Sequence, residues 1–198
     1  MRTRMRDINR LLRIGGIGAL FLLLIGIGTI VQAQGRMTIH AAVQGTGTQL
    51  GQMYDVHIHI EQFSTPDDQK ALIDAFARSG QDGLVQVLEN MKPKGNVRFT
   101  NGGLGNDVKY IIELPPEKGR RIRLVTDRNI GVGEHFGGTD SKDYSVGVID
   151  LLLPPGGKEG TGRVLPACKL RVDKKTQQIE IESYQFPWNL VTLTISND

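Results

Sequence analysis

Alternation of apolar and polar residues with a period of two runs through most of the chain from residue 37 to residue 195. Successive side chains of a β-strand point to opposite faces of a sheet, so this period predicts strands with one buried face. The runs are separated mainly by short turn-rich stretches, which favours antiparallel pairing. The predicted strands are Met37–Val43, Gln52–Phe63, Asn96–Asn101, Asp107–Leu114, Arg121–Thr126, Tyr144–Leu153, Val164–Val172, Ile179–Phe186 and Leu190–Ile195.

A helical period appears in one region only. The stretch STPDD at 64–68 supplies an N-cap residue, a proline for the first turn and carboxylates near the positive end of the helix dipole. One apolar stripe follows and ends at Gly80, and a second ends before Pro93. The sequence therefore predicts a helical hairpin at about 66–91. Its stripe residues are Leu72, Ile73 and Phe76, then Leu84, Val87, Leu88 and Met91.

Each predicted helix has one apolar face and must bury it, either on the sheet or across the mouth of a barrel. The predicted fold is therefore α+β, with a mainly antiparallel curved sheet, a sandwich or half-barrel, and the helical hairpin packed on it. Residues 34–198 suffice for one β-rich domain with its own core. The single cysteine, Cys168, shares a strand face with Leu170 and Val172, which predicts a buried, unreactive thiol.

Residues 1–33 show the three parts of a secretory signal peptide. Five arginines and one aspartate precede an uncharged apolar run from Ile14 to Val31, and the short residues Val31-Gln32-Ala33 predict cleavage near Ala33. The apolar run is 18 residues long, at the short limit for crossing a bilayer, so a retained anchor is the alternative. The sequence predicts an exported protein, periplasmic or secreted, without a transmembrane span after cleavage.

Removal of the signal changes the charge balance. The whole chain has 24 basic and 21 acidic residues, and residues 34–198 keep 19 and 20 of them. A nearly neutral domain has no field that would gather nucleic acid, so no nucleic-acid partner is predicted.

Two histidines, His57 and His59, lie one residue apart in a predicted strand and therefore point to the same side. An H-x-H pair can ligate zinc, with a third ligand drawn from His40, His135 or Glu134. The same alternation places Val56, Ile58 and Ile60 on the apolar face, so the histidines are expected on the side that meets solvent or a polar cavity. If that side is the outside of the sheet, they are ordinary exposed polar residues.

Basic residues also cluster around one predicted hairpin: Lys118, Arg120, Arg121 and Arg123, followed by Arg128. They offer contacts to an anionic headgroup or an acidic partner. Charges of this kind also protect sheet edges from aggregation, so both interpretations stay open.

Three stretches carry a resemblance to a known family: IEQFSTPDDQKALIDAFARSGQDGLVQVLENMK, then GRRIRLVTDRNIGVGE, and finally QFPWNLV. With these the chain resembles a family of exported bacterial proteins that has no assigned function. The likeness covers about residues 54 to 195 in order and spacing. It implies an exported single domain and assigns no catalytic residue.

Two hypotheses about function follow. The preferred one is an exported, soluble, non-enzymatic protein that binds a small or lipid-like ligand or an envelope partner and needs no cofactor. The alternative is a metal-dependent, hydrolase-like enzyme with zinc on His57, His59 and His135 and with Glu134 as base.

Overall fold

The computed structural model describes residues 36–100, 105–115, 119–132, 144–155 and 159–197. The β-rich character predicted from the period of two is confirmed, since these residues form nine strands, one α-helix and one short 3₁₀ helix at Gly47–Gln49. The elements are β1 Met37–Gly45, β2 Met53–Ile60, α1 Pro66–Asn90, β3 Gly95–Phe99, β4 Asn106–Leu114, β5 Arg120–Thr126, β6 Val146–Leu153, β7 Gly160–Val172, β8 Ile179–Gln185 and β9 Trp188–Asn197.

The sheet closes into a barrel, and the predicted sandwich or half-barrel is wrong. Antiparallel pairing runs from β1 in sequence order to β7, and then through β9 back to β1. Eight strands thus form a ring, and β8 is added to it by pairing with β7. Alternation along a strand reveals which side chains share a face, but it leaves open which strands are neighbours, and closure depends on neighbours.

Strand β7 makes this arrangement possible because its 13 residues are long enough for two partners on one side. Its first part pairs with β9 from Gly160 to Val164, and its second part pairs with β8 from Ala167 to Val172. Pro166 lies where the register between β6 and β7 shifts, a place that tolerates a residue without an amide hydrogen.

The barrel interior is filled by apolar side chains from the inward face of the ring. In β2, Val56, Ile58 and Ile60 point inward, which confirms the predicted orientation of this strand. Trp188, the only tryptophan, is fully buried in the same cluster, and its ring centre lies 5.8 Å from that of Tyr54. An interior packed in this way behaves as a core.

The helical prediction is correct in position and wrong in form. The structure has one helical element from Pro66 to Asn90, with a kink at Ser79 and Gly80, instead of two helices joined by a loop. Gly80 has a φ of 60°, a conformation that glycine adopts without the steric cost of a Cβ atom. A Cβ on Gly83 would lie 2.5 Å from the carbonyl oxygen of Ala75, so the second helical segment bends back closely against the first.

The helix begins as the sequence predicts. Thr65 is the N-cap: its hydroxyl accepts a hydrogen bond from the amide of Asp68, and the Asp68 carboxylate accepts one from the amide of Thr65. Lys94, nearly buried, donates to the same carboxylate at 2.9 Å. Burial would raise the pKa of Asp68, but these hydrogen bonds and the lysine charge hold it below its usual value.

The apolar side of α1 packs on the outside of the barrel. Leu72, Leu84 and Leu88 are fully buried against outward-facing side chains of β4 to β8. The buried partners on the strands are Tyr110, Val125, Val146, Val148, Leu165, Cys168, Leu170 and Ile179. The barrel wall beneath the helix therefore has apolar side chains on both faces, unlike the wall formed by β1 and β2.

Cys168 lies in this second cluster, as predicted, and it is buried and free of a disulfide. Burial, and then the charge of Asp150, raise the pKa of its thiol to about 12. The thiol is protonated at neutral pH, which makes it a poor nucleophile. Within the described residues, no helix combines the length and apolar character needed to cross a membrane.

Candidate functional site

A groove of about 510 Å³ lies on the outer surface of the barrel, between β8 and the outward faces of β5, β6 and β7. This volume is in the range of small-molecule sites, about 300–1,000 Å³. The floor carries three arginines and one aspartate, and the wall formed by β8 adds Ile181, Glu182 and Tyr184.

Strand register places the charged floor residues in a row. Arg123 of β5 is the direct partner of Asp150 of β6, and Asp150 is in turn the direct partner of Arg163 of β7. Directly paired residues on one face of an antiparallel sheet have their Cβ atoms about 4.5–5.5 Å apart, so the three side chains are neighbours. Asp150 therefore lies between two arginine residues in the sheet.

Arg123 and Asp150 form a buried bidentate ion pair. The Arg123 Nε lies 2.7 Å from Oδ1 of the aspartate and Nη2 lies 2.8 Å from Oδ2, while the two residues are 5% and 6% exposed. Arg123 also donates through Nη1 to the carbonyl oxygen of Ile179 at 3.4 Å. Because it contacts both β6 and β8, this arginine ties the floor of the groove to its wall.

Arg121 is the third charged group at Asp150. Its Nη2 lies 3.0 Å from Oδ2, and its side chain stays 40% exposed. Burial alone would raise the pKa of Asp150, but hydrogen bonds and charge from Arg123, and then from Arg121, outweigh it and hold the pKa below its usual value. The aspartate is therefore ionised at neutral pH and balances one of its two bound guanidinium groups.

Arg163 has a different environment. It is exposed, and its guanidinium carbon lies 6.0 Å from the ring centre of Tyr184 in a cation–π arrangement. Among the described residues it has no carboxylate within 4.0 Å. Its charge is therefore directed into the groove without an ionic partner from these residues.

The acidic residues of the β8 wall are paired with cations outside the groove lining. Glu180 accepts from Arg171 at 2.7 Å, and Glu182 lies 3.6 Å from Lys169. The floor consequently keeps an excess of positive charge even though the lining contains three acids and three arginines. Such a floor can bind a carboxylate or phosphate group through bidentate hydrogen bonds.

The basic cluster predicted from the sequence is divided by the structure. Arg121 and Arg123 reach the groove, whereas Arg120 makes a two-point contact with Glu113, and Arg128 donates to the carbonyl oxygen of Gly105. Lys118 lies outside the described residues. Alternation explains the division, because 121 and 123 share the outward face of β5.

The histidines lie on a separate part of the barrel, on the outward face of β1 and β2. The outward orientation predicted for His57 and His59 is confirmed. The His57 ring lies against that of His40, whereas the Nδ1 atom of His59 lies 2.9 Å from the hydroxyl oxygen of Thr38. His135 and Glu134 lie outside the described residues. In the part of the chain that the structure describes, no cluster of three or more metal-ligating side chains occurs.

Sequence reasoning missed Asp150, Arg163 and Tyr184. Asp150 carried a usable signal, because a lone carboxylate between Val148 and Leu152 in an apolar strand calls for a cation as partner. Arg163 and Tyr184 could not be predicted as site residues. They lie far from the basic hairpin along the chain, and only the pairing of the strands brings them close to it.

No protein-family model matches the chain, and no curated protein and no solved structure matches it either. The resemblance to an exported bacterial family stays a prediction, and it contributes no residue roles to the groove.

Proposed function

We propose that the protein is a non-enzymatic binding protein that holds a small anionic ligand in the groove beside β8. The proposal rests mainly on one observation: the groove floor carries three arginines and only one aspartate, so it keeps an excess of positive charge. Arginine suits this role because its planar fork of donors matches the two oxygens of a carboxylate or phosphate.

The buried ion pair supplies a rigid base for such a site. Arg123 and Asp150 fix each other, and Asp150 in turn orients Arg121 by accepting a hydrogen bond from it. Arg121 still exposes part of its guanidinium, and Arg163 is held over Tyr184 at the opposite side of Asp150. A ligand anion between Arg121 and Arg163 thus meets donors whose positions are set before binding, which reduces the entropic cost of binding.

The rest of the lining favours a ligand with an apolar part. Leu114, Ile181 and the ring of Tyr184 line the same groove, and Tyr184 is 43% exposed. A short acyl or aromatic chain attached to the anionic group would cover these surfaces. The proposed ligand class is therefore an amphiphilic anion, which is the lipid-like ligand of the preferred hypothesis in a more specific form.

The test compares ligands that differ only in the head group. Hexanoate and hexyl phosphate, with hexanol as the uncharged counterpart, are titrated into the full-length protein by calorimetry. We expect both anions to bind more tightly than hexanol. Arg163→Ala and Arg121→Ala should each weaken binding of the anions by roughly tenfold, the value of one charged hydrogen bond.

Arg98→Ala is the matched control, because Arg98 is an exposed arginine on β3 and does not line the groove. This variant should bind the anions as the unmodified protein does. Equal affinity for hexanol and hexanoate, or an equal loss in the Arg98 and Arg163 variants, would contradict the proposal.

We also propose that the domain works outside the cytoplasm, on the strength of the signal-like residues 1–33. N-terminal sequencing of the protein recovered from expressing bacteria should read from Gln34 or a close neighbour. A chain that still starts at Met1 and sediments with membranes would support the retained anchor instead.

A further inference from the structure

His40 and His57 face each other across β1 and β2. The register pairs them directly, and both side chains are exposed on the outer face of the barrel. Their ring centres are 4.6 Å apart, and the ring planes are inclined at 85°. The sequence places these two residues 17 positions apart, so the pair exists only through the pairing of the two strands.

The separation of the two rings is compatible with a shared metal ion. A histidine nitrogen binds zinc at about 2.0–2.1 Å, and the ring centre lies about 1.1 Å behind that nitrogen. Two imidazoles that meet at one ion with an angle between about 90° and 110° therefore have ring centres roughly 4.5–5.2 Å apart. The observed 4.6 Å falls in this range, so the two rings are close enough to ligate one ion.

The neighbouring groups leave this pair free to bind. His59, next on the same face of β2, is engaged by the Thr38 hydroxyl instead. Asp55, two residues before His57, is exposed and shares its face, which adds negative charge near an incoming cation. Arg98 is the β3 partner of His57, and its positive charge offsets that of Asp55 near the pair.

The geometry points to a two-histidine site for a transition-metal ion of the imidazole-preferring class, formed by His40 and His57. Cu²⁺, Ni²⁺ and Zn²⁺ belong to this class, and Cu²⁺ should bind most tightly of the three. Ca²⁺ and Mg²⁺ prefer oxygen ligands and should not bind here. The site lies on β1 and β2 and is independent of the groove beside β8.

The experiment measures the binding of Zn²⁺ to the full-length protein by calorimetry and the unfolding equilibrium in urea with and without the metal. At about 100 times the dissociation constant, Zn²⁺ should raise the ratio of folded to unfolded protein about 100-fold. His40→Gln and His57→Gln should each weaken binding at least about tenfold, because one remaining imidazole has lost its chelate partner. Electron paramagnetic resonance of bound Cu²⁺ should show two imidazole nitrogens.

Two variants serve as matched controls because each removes one histidine from outside the pair: His59→Gln and His135→Gln. Both should retain the affinity of the unmodified protein for Zn²⁺. Binding that depends on His57, His59 and His135 but not on His40 would overturn the inference and support a different metal site. Absence of any Zn²⁺ or Cu²⁺ binding, or binding unchanged in the His40 and His57 variants, would overturn it as well.

Discussion

Asp150 is the residue on which the groove depends. Its carboxylate is nearly buried and is held by Arg123 and Arg121. A buried ion pair adds little net stability, because desolvation costs about as much as the attraction returns. Removal of one partner is strongly destabilising, because the other charge is then left buried without compensation.

We therefore expect Asp150→Asn to lower the free energy of unfolding by about 3 kcal/mol, the lower end of the range for breaking a buried pair. Urea unfolding at neutral pH measures this loss. Asp74→Asn is the comparison: Asp74 belongs to an exposed pair with Lys70 on α1, and its loss should cost less than about 1 kcal/mol. Similar losses for both variants would show that burial of the Asp150 pair is unimportant.

Acid should lower the stability of the fold by protonating Asp150. The folded pKa of Asp150 lies below its ordinary value of 3.8, so the unfolded state binds the proton more readily. The stabilisation from this group is complete above about pH 5 and is lost as the pH falls below 3.8 towards the folded pKa. Asp150→Asn should flatten this part of the curve of stability against pH.

The shape of helix α1 depends on the backbone conformation of one residue, Gly80. Gly80 interrupts α1 with a φ of 60° and a ψ of −143°, and the kink lets the two segments approach each other at Ala75 and Gly83. The buried leucines of both segments then reach the same apolar surface of the barrel. A straight helix of this length would carry the second stripe away from that surface.

Gly80→Ala should consequently lower the free energy of unfolding by about 1–3 kcal/mol through backbone strain alone. No atom lies within 4 Å of the position of the added Cβ, so a steric clash does not contribute. Gly131→Ala is the matched control, since its added Cβ also meets open space but its φ is not in the left-handed region. An equal effect of both substitutions in urea unfolding would contradict this explanation of the kink.

At the scale of the whole molecule, closure of the barrel removes the free edges of eight strands. Each strand of the ring has hydrogen-bonded neighbours on both sides, whereas β8 pairs only with β7 among the described strands. The hydrogen bonds of an edge strand can open by local unfolding, whereas those of a ring strand open only when a larger part of the barrel unfolds. The wall of the groove is thus the least protected part of the sheet.

Native-state hydrogen exchange should reveal this difference. We expect amides of β8 to exchange at least about tenfold faster than those of β9, which follows it in the chain and pairs with both β1 and β7. A ligand in the groove should slow exchange in β8 and leave β9 unchanged. Equal, slow exchange of the two strands would mean that β8 is as firmly held as the ring.

The sequence by itself determined the nine strands, the inward face of β2, the buried face that Cys168 shares with Leu170, the start of α1 and its break near Gly80, because each depends on the spacing of residues close together in the chain. It also placed His57 and His59 on the outward face. These properties follow from the two periods, 2 and 3.6, and from local capping chemistry.

Only the tertiary structure decided that the sheet closes, that Asp150 lies between Arg123 and Arg163 in the sheet, and that His40 meets His57. Each of these depends on which strands are neighbours and in which register they pair. Alternation is the same for every even shift of register and for every order of strands, so it leaves these choices open. The packing of the barrel interior and of the helix on its wall makes one of them the most stable.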